Sequence, residues 1–73
     1  MITLDIAKQN KTYLIVGFNS NDSLLRRFLE LGFTVGQKVK VVSSSLLKKV
    51  FLVEIRGYLL SVRRELLNRI IVE

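Results

Sequence analysis

The stretch Val50-Phe51-Leu52-Val53-Glu54-Ile55-Arg56-Gly57-Tyr58-Leu59-Leu60-Ser61-Val62-Arg63 decides the fold. Suppose Arg56-Gly57 forms the two-residue tip of a hairpin. Ile55 then opposes Tyr58, Val53 opposes Leu60 and Phe51 opposes Val62, and all six apolar side chains share one face. The other face pairs Glu54 with Leu59 and Leu52 with Ser61. A slip of one residue would turn the apolar set to water, so the register is specified. Arginine is poorly suited to the positive φ of a tight hairpin turn, which leaves a longer loop at the tip as the alternative.

Upstream, Lys38-Val39-Lys40-Val41 alternates with the period of a half-buried strand, and Ser43-Ser44-Ser45 ends it. Before that, Leu24, Leu25, Phe28, Leu29 and Leu31 recur at helical spacing, with Arg26, Arg27 and Glu30 on the other side. The cluster Asn19-Ser20-Asn21-Asp22-Ser23 supplies capping residues, and Gly32 stands where a left-handed cap is wanted. The spacing predicts an amphipathic helix from about Asp22 to Leu31. Its plainest role is a lid over a small barrel. Thr12–Phe18, rich in β-branched and aromatic residues, reads as a strand. Arg63–Arg69 reads as a single helical turn and Ile70-Ile71-Val72 as a closing strand. Five short strands and one early helix predict a mainly β chain, a small SH3-like β-barrel spanning residues 1–73 as one domain.

Composition narrows the function. The 73 residues include no Cys, His, Trp or Pro. Disulfides, Cys/His zinc sites and Ser–His or Cys–His dyads are therefore excluded, and an enzyme is not expected. The six acidic residues are dispersed along the chain, so no metal site and no cofactor are expected. Gly32-Phe33-Thr34-Val35-Gly36-Gln37-Lys38 lacks the spacing and the hydroxyl residue of a phosphate loop. The longest charge-free stretch, Thr12 to Asn21, falls short of the about 20 apolar residues of a membrane span. No secretory signal is visible, and the expected location is the cytoplasm.

Twelve Lys and Arg against six Asp and Glu give a formal charge of +6. Arg26-Arg27, Lys38, Lys40, Lys48-Lys49, Arg56, Arg63-Arg64 and Arg69 spread that charge over the chain. A solvated face with some protein-binding role outranks nucleic acid, because Phe51 and Tyr58 fall on the buried face of the hairpin and cannot stack on bases. A polyproline-binding SH3 role ranks last for want of an aromatic groove. Leu52 and Leu59, on the outer hairpin face, form a candidate docking or self-association patch.

The run Leu25-Arg26-Arg27-Phe28-Leu29-Glu30-Leu31-Gly32-Phe33-Thr34-Val35-Gly36, followed by Lys38-Val39-Lys40-Val41, resembles the helix-turn-strand signature of the ferrous-iron transport protein A family, FeoA. Val53–Glu65 and Ile70–Val72 resemble that family's hairpin and closing strand. This chain has Val35 where members commonly have Pro, and Asn10 where they often have Gly; Asn tolerates the left-handed conformation such a turn needs. A similar domain closes the iron-dependent repressors of the diphtheria-toxin-repressor type. The resemblance implies an SH3-like barrel and a cytoplasmic accessory role in ferrous iron uptake. The implied partner is ferrous-iron transport protein B, the permease with a cytosolic GTPase domain, which would hold the chain peripheral to the inner membrane. Iron is a transition metal ion, and a chain without Cys or His is a poor tight binder of it. Arg26 and Arg27 with Leu29, and secondly Leu52 with Leu59, are the residues expected to contact the partner. The alternative is a barrel that binds RNA or DNA through its basic surface. Self-association stays open.

Overall fold

The computed structural model describes residues 1–73. Strand β1 (Ile2–Thr3) leads into a 3-10 turn (Leu4–Ile6), then β2 (Thr12–Phe18), α1 (Asp22–Leu31), β3 (Lys38–Ser44), β4 (Val50–Ile55), β5 (Tyr58–Arg63), α2 (Arg64–Leu67) and β6 (Ile70–Val72). Six strands run in the order β1-β6-β2-β3-β4-β5, every neighbouring pair antiparallel. The sequence pattern predicts five strands. The sixth, β1, is a two-residue edge too short to leave a periodic signal.

Strand β2 makes the corner of the fold. Its first half, Thr12–Leu14, pairs with Lys40–Lys38 of β3, and its second half, Ile15–Phe18, pairs with Val72–Ile70 of β6. The register shifts between Ile15 and Gly17, and again in β3 between Val41 and Ser43. Each bulge adds local twist and bends its strand. The sheet thereby curls around one face, while β1 and β5 remain unpaired with each other. The result is a small SH3-like barrel, open at that seam.

The β4–β5 hairpin has the register read from the sequence: Ile55↔Tyr58, Val53↔Leu60 and Phe51↔Val62 on one face, Glu54↔Leu59 and Leu52↔Ser61 on the other. The tip is the two-residue turn after all, with φ of 54° at Arg56 and 82° at Gly57. Both central residues are left-handed, as the twist of a two-residue hairpin demands. Arg56 accepts the strained conformation, and its Nε–H donates to Gln37 Oε1 at 3.2 Å. Tyr58 departs from expectation. It is 43% exposed, because its hydroxyl reaches out to donate to the Leu31 carbonyl at 2.8 Å. An amphipathic ring at a strand end satisfies its polar tip this way.

Helix α1 has the predicted bounds and both predicted caps. Asn21 Oδ1 accepts the Leu24 N–H at 2.8 Å. Gly32, at φ 100°, turns its N–H back to the Leu29 and Phe28 carbonyls, and Phe33 N–H bonds Phe28 O at 2.9 Å. The helix buries Phe28 completely. Its ring stacks on Phe18 at 5.1 Å and meets Phe33 edge-on at 6.2 Å. These rings close one end of a core that includes Ile15, Val39, Val53, Ile55, Ile70 and Val72. α2, the predicted single turn, inserts Leu67 into the same core.

The N-terminal 3-10 turn is tied down by polar contacts. The Thr3 hydroxyl donates to Asp5, and Arg64 Nε lies 3.8 Å from the other Asp5 oxygen. Asn10 has φ 66°, the left-handed turn residue that the sequence suggested. The strand before the serine cluster runs on through Ser44, and the chain turns at Ser45 instead.

Candidate docking surface

Helical periodicity sorts α1 into faces. Phe28 points to the core, with Leu24 and Leu31 packed beside it. Arg26, Arg27 and Glu30 point to water, and Leu29 is 50% exposed. Arg26 and Leu29 are i, i+3 neighbours, so a cation and an apolar side chain adjoin on the open side of the helix. Neither Arg26 nor Arg27 has an ionic partner; the salt bridges are Lys40–Glu54 at 3.6 Å and Arg64–Asp5 at 3.8 Å. An unpaired guanidinium next to exposed apolar surface is well suited to an acidic protein contact.

The second candidate pair lies on the outer face of the hairpin. Leu59 is 55% exposed, whereas Leu52 is half-buried. Leu52 opposes Ser61, two residues along β5 from Leu59, so the leucines are diagonal neighbours. The structure therefore brings Leu52 and Leu59 to one face, and Arg26, Arg27 and Leu29 to another element. The Tyr58–Leu31 hydrogen bond fastens the start of β5 to the end of α1 and so links the two.

Other exposed apolar residues escaped the sequence reading. Val35 lies in the turn after α1, Ile6 ends the 3-10 turn, and Leu46 and Leu47 occupy the β3–β4 turn. Leucines in a turn that lacks Gly and Pro were the available signal for the last two.

No three Asp or Glu side chains converge into a group able to hold a metal ion. No helix is long and apolar enough to cross a membrane. Two shallow depressions break the surface. One, at the hairpin tip, is lined by Lys38, Lys40, Glu54 and Arg56. The other, between the 3-10 turn and β4, is lined by Asp5, Ile6, Lys48, Phe51 and Arg64.

A bulged and partly closed small barrel with one helix packed against its core is a fold of the SH3-like class. Comparison with known proteins makes the assignment specific. Residues 2–73 match the FeoA domain, and the chain belongs to the FeoA family. That family is linked to ferrous iron transport.

Solved structures share the fold. The FeoA protein of Chlorobium tepidum superposes with a TM-score of 0.87 at 26% identity, over 99% of this chain and 69% of that one. The FeoA of Stenotrophomonas maltophilia, complexed with zinc and described as a prokaryotic SH3 domain protein, gives 0.83 at 23% identity, over 100% and 91% of the two chains. The manganese-activated repressor ScaR gives 0.87 at 22%, with 99% of this chain covering 34% of that one. Among curated proteins no sequence matches.

Proposed function

We propose that this chain is a small cytoplasmic accessory protein of bacterial ferrous iron uptake. It binds the cytosolic part of the ferrous-iron permease, ferrous-iron transport protein B, and supports or regulates it without catalysis. The observation that carries this reading is the FeoA match over residues 2–73. The chemistry of the surface supports it. The chain offers neither imidazole nor thiol for acid–base work or for holding Fe(II), and its exposed groups are those of a docking domain. Arg26, Arg27 and Leu29 form the first contact surface, and Leu52 with Leu59 the second.

Nucleic acid fits the surface less well. Single-strand binding stacks successive bases on several rings, whereas Tyr58 is the one aromatic side chain here that is exposed; Phe51 and the others are buried or half-buried. The test is a pull-down of the tagged chain from membranes of its own cell at low and moderate salt, with mass spectrometry of what is retained. Enrichment of the permease at both salts supports the proposal. Nucleic acid that washes off with salt, with no permease, overturns it.

A further inference from the structure

The β3–β4 turn carries an exposed feature that neither the core nor the docking faces explain. Leu46 is 97% exposed and Leu47 71% exposed, side by side, and Lys48-Lys49 follow immediately. The turn is built to hold them there. Ser45 N–H bonds Val50 O at 2.8 Å and closes its base. Lys48 N–H bonds Ser45 O at 2.9 Å, which makes Leu46 and Leu47 the two corner residues of a four-residue turn. The Ser45 hydroxyl accepts the N–H groups of Lys49 and Val50 at 3.1 and 3.2 Å. Lys48, at φ 56°, completes the reversal. Turn chemistry favours Gly, Asn, Asp or Pro at corners and gives no reason for two leucines.

The surroundings repeat the same chemistry. Arg64 N–H bonds Lys49 O at 2.9 Å, so the start of α2 lies against the base of the turn. Arg64 and Lys48 line the same depression as Ile6, a third exposed apolar side chain. The one carboxylate in that depression, Asp5, is already paired with Arg64. Glu65 is the nearest other acid in sequence, and it stands between Arg64 and the apolar Leu66-Leu67 on α2.

We infer that this turn is a membrane-contacting tip: Leu46 and Leu47 enter the headgroup–acyl boundary of an anionic bilayer while Lys48 and Lys49 meet its phosphates. Leu46, almost fully exposed, and Leu47 project from the two corners of the turn as a knob. A fluid lipid surface accepts such a knob without a shaped receptor. The leucine–lysine order and the +6 charge select an anionic leaflet. This inference stands apart from the permease proposal, because the bilayer alone supplies the binding energy.

The test uses the purified full chain and two sets of vesicles, phosphatidylcholine alone and phosphatidylcholine mixed with phosphatidylglycerol. Cosedimentation should show binding to the mixed vesicles that weakens as salt rises. Leu46→Ser with Leu47→Ser should lower partitioning about tenfold at every salt concentration. Lys48→Gln with Lys49→Gln should lower it chiefly at low salt and flatten the salt dependence. Leu46→Trp places the only tryptophan of the chain at the tip, and its emission should shift to the blue on mixed vesicles. Unchanged partitioning of the double serine variant, or emission that does not move, overturns the inference. So does absence of binding to the mixed vesicles at low salt.

Discussion

Gly32→Ala perturbs the joint between the helix and the hairpin, and its cost has two separable parts. The backbone there sits at φ 100°, where a side chain is strained by about 1–2 kcal/mol. A Cβ added at Gly32 would lie 2.5 Å from the Tyr58 hydroxyl oxygen. That hydroxyl must then leave the Leu31 carbonyl, which loses a hydrogen bond of about 1 kcal/mol. The total is about 2–3 kcal/mol, a large share of the stability of so small a chain. Urea unfolding followed by circular dichroism reads it as a shift in midpoint at constant slope. Tyr58→Phe separates the parts. By itself it costs about 1 kcal/mol, and in its background Gly32→Ala should cost only the backbone part, about 1–2 kcal/mol. The double-mutant cycle therefore predicts a coupling of about 1 kcal/mol. Equal costs of Gly32→Ala in both backgrounds would refute the steric argument. A cost below about 0.5 kcal/mol would refute the assigned conformation as well.

Two further outcomes test the packing and the turn. Phe28→Ala removes a fully buried ring between Phe18 and Phe33 and should cost about 3–5 kcal/mol by urea unfolding, enough to leave the chain largely unfolded. Arg56→Asn should stabilise the hairpin by about 0.5 kcal/mol, since Asn-Gly suits two left-handed corners better than Arg-Gly does; a lower urea midpoint would mean that the Gln37 contact outweighs the strain.

The parts of the fold written in local patterns were legible. The period of two over Phe51–Val62 set the hairpin register, and the spacing from Leu24 to Leu31, bounded by Asn21 and Gly32, set the helix to the residue. The parts set by tertiary contact were not. β1 pairs two residues with β6 from the far end of the chain, a partner that no local window contains. Tyr58 follows the pairing pattern in its backbone, yet its hydroxyl answers to the orphan carbonyl at the end of α1. Leu52 sits on the outer face as its parity requires and is nevertheless half-buried. For the candidate site, charge and helical phase sufficed to place Arg26 and Arg27 in water, whereas the projection of Leu46 and Leu47 depends on the hydrogen bonds that shape the Ser45–Lys49 turn.

The proposed role rests on direct recognition of the permease. The decisive measurement is titration calorimetry of the purified chain with the purified cytosolic portion of that permease. The wild type and two double variants, Arg26→Glu with Arg27→Glu and Leu52→Ala with Leu59→Ala, would be compared at moderate salt. The account predicts saturable binding, with a loss of about tenfold or more in at least the arginine variant and no change in its unfolding midpoint. Absence of binding by the wild type, or binding that neither variant weakens, would contradict it.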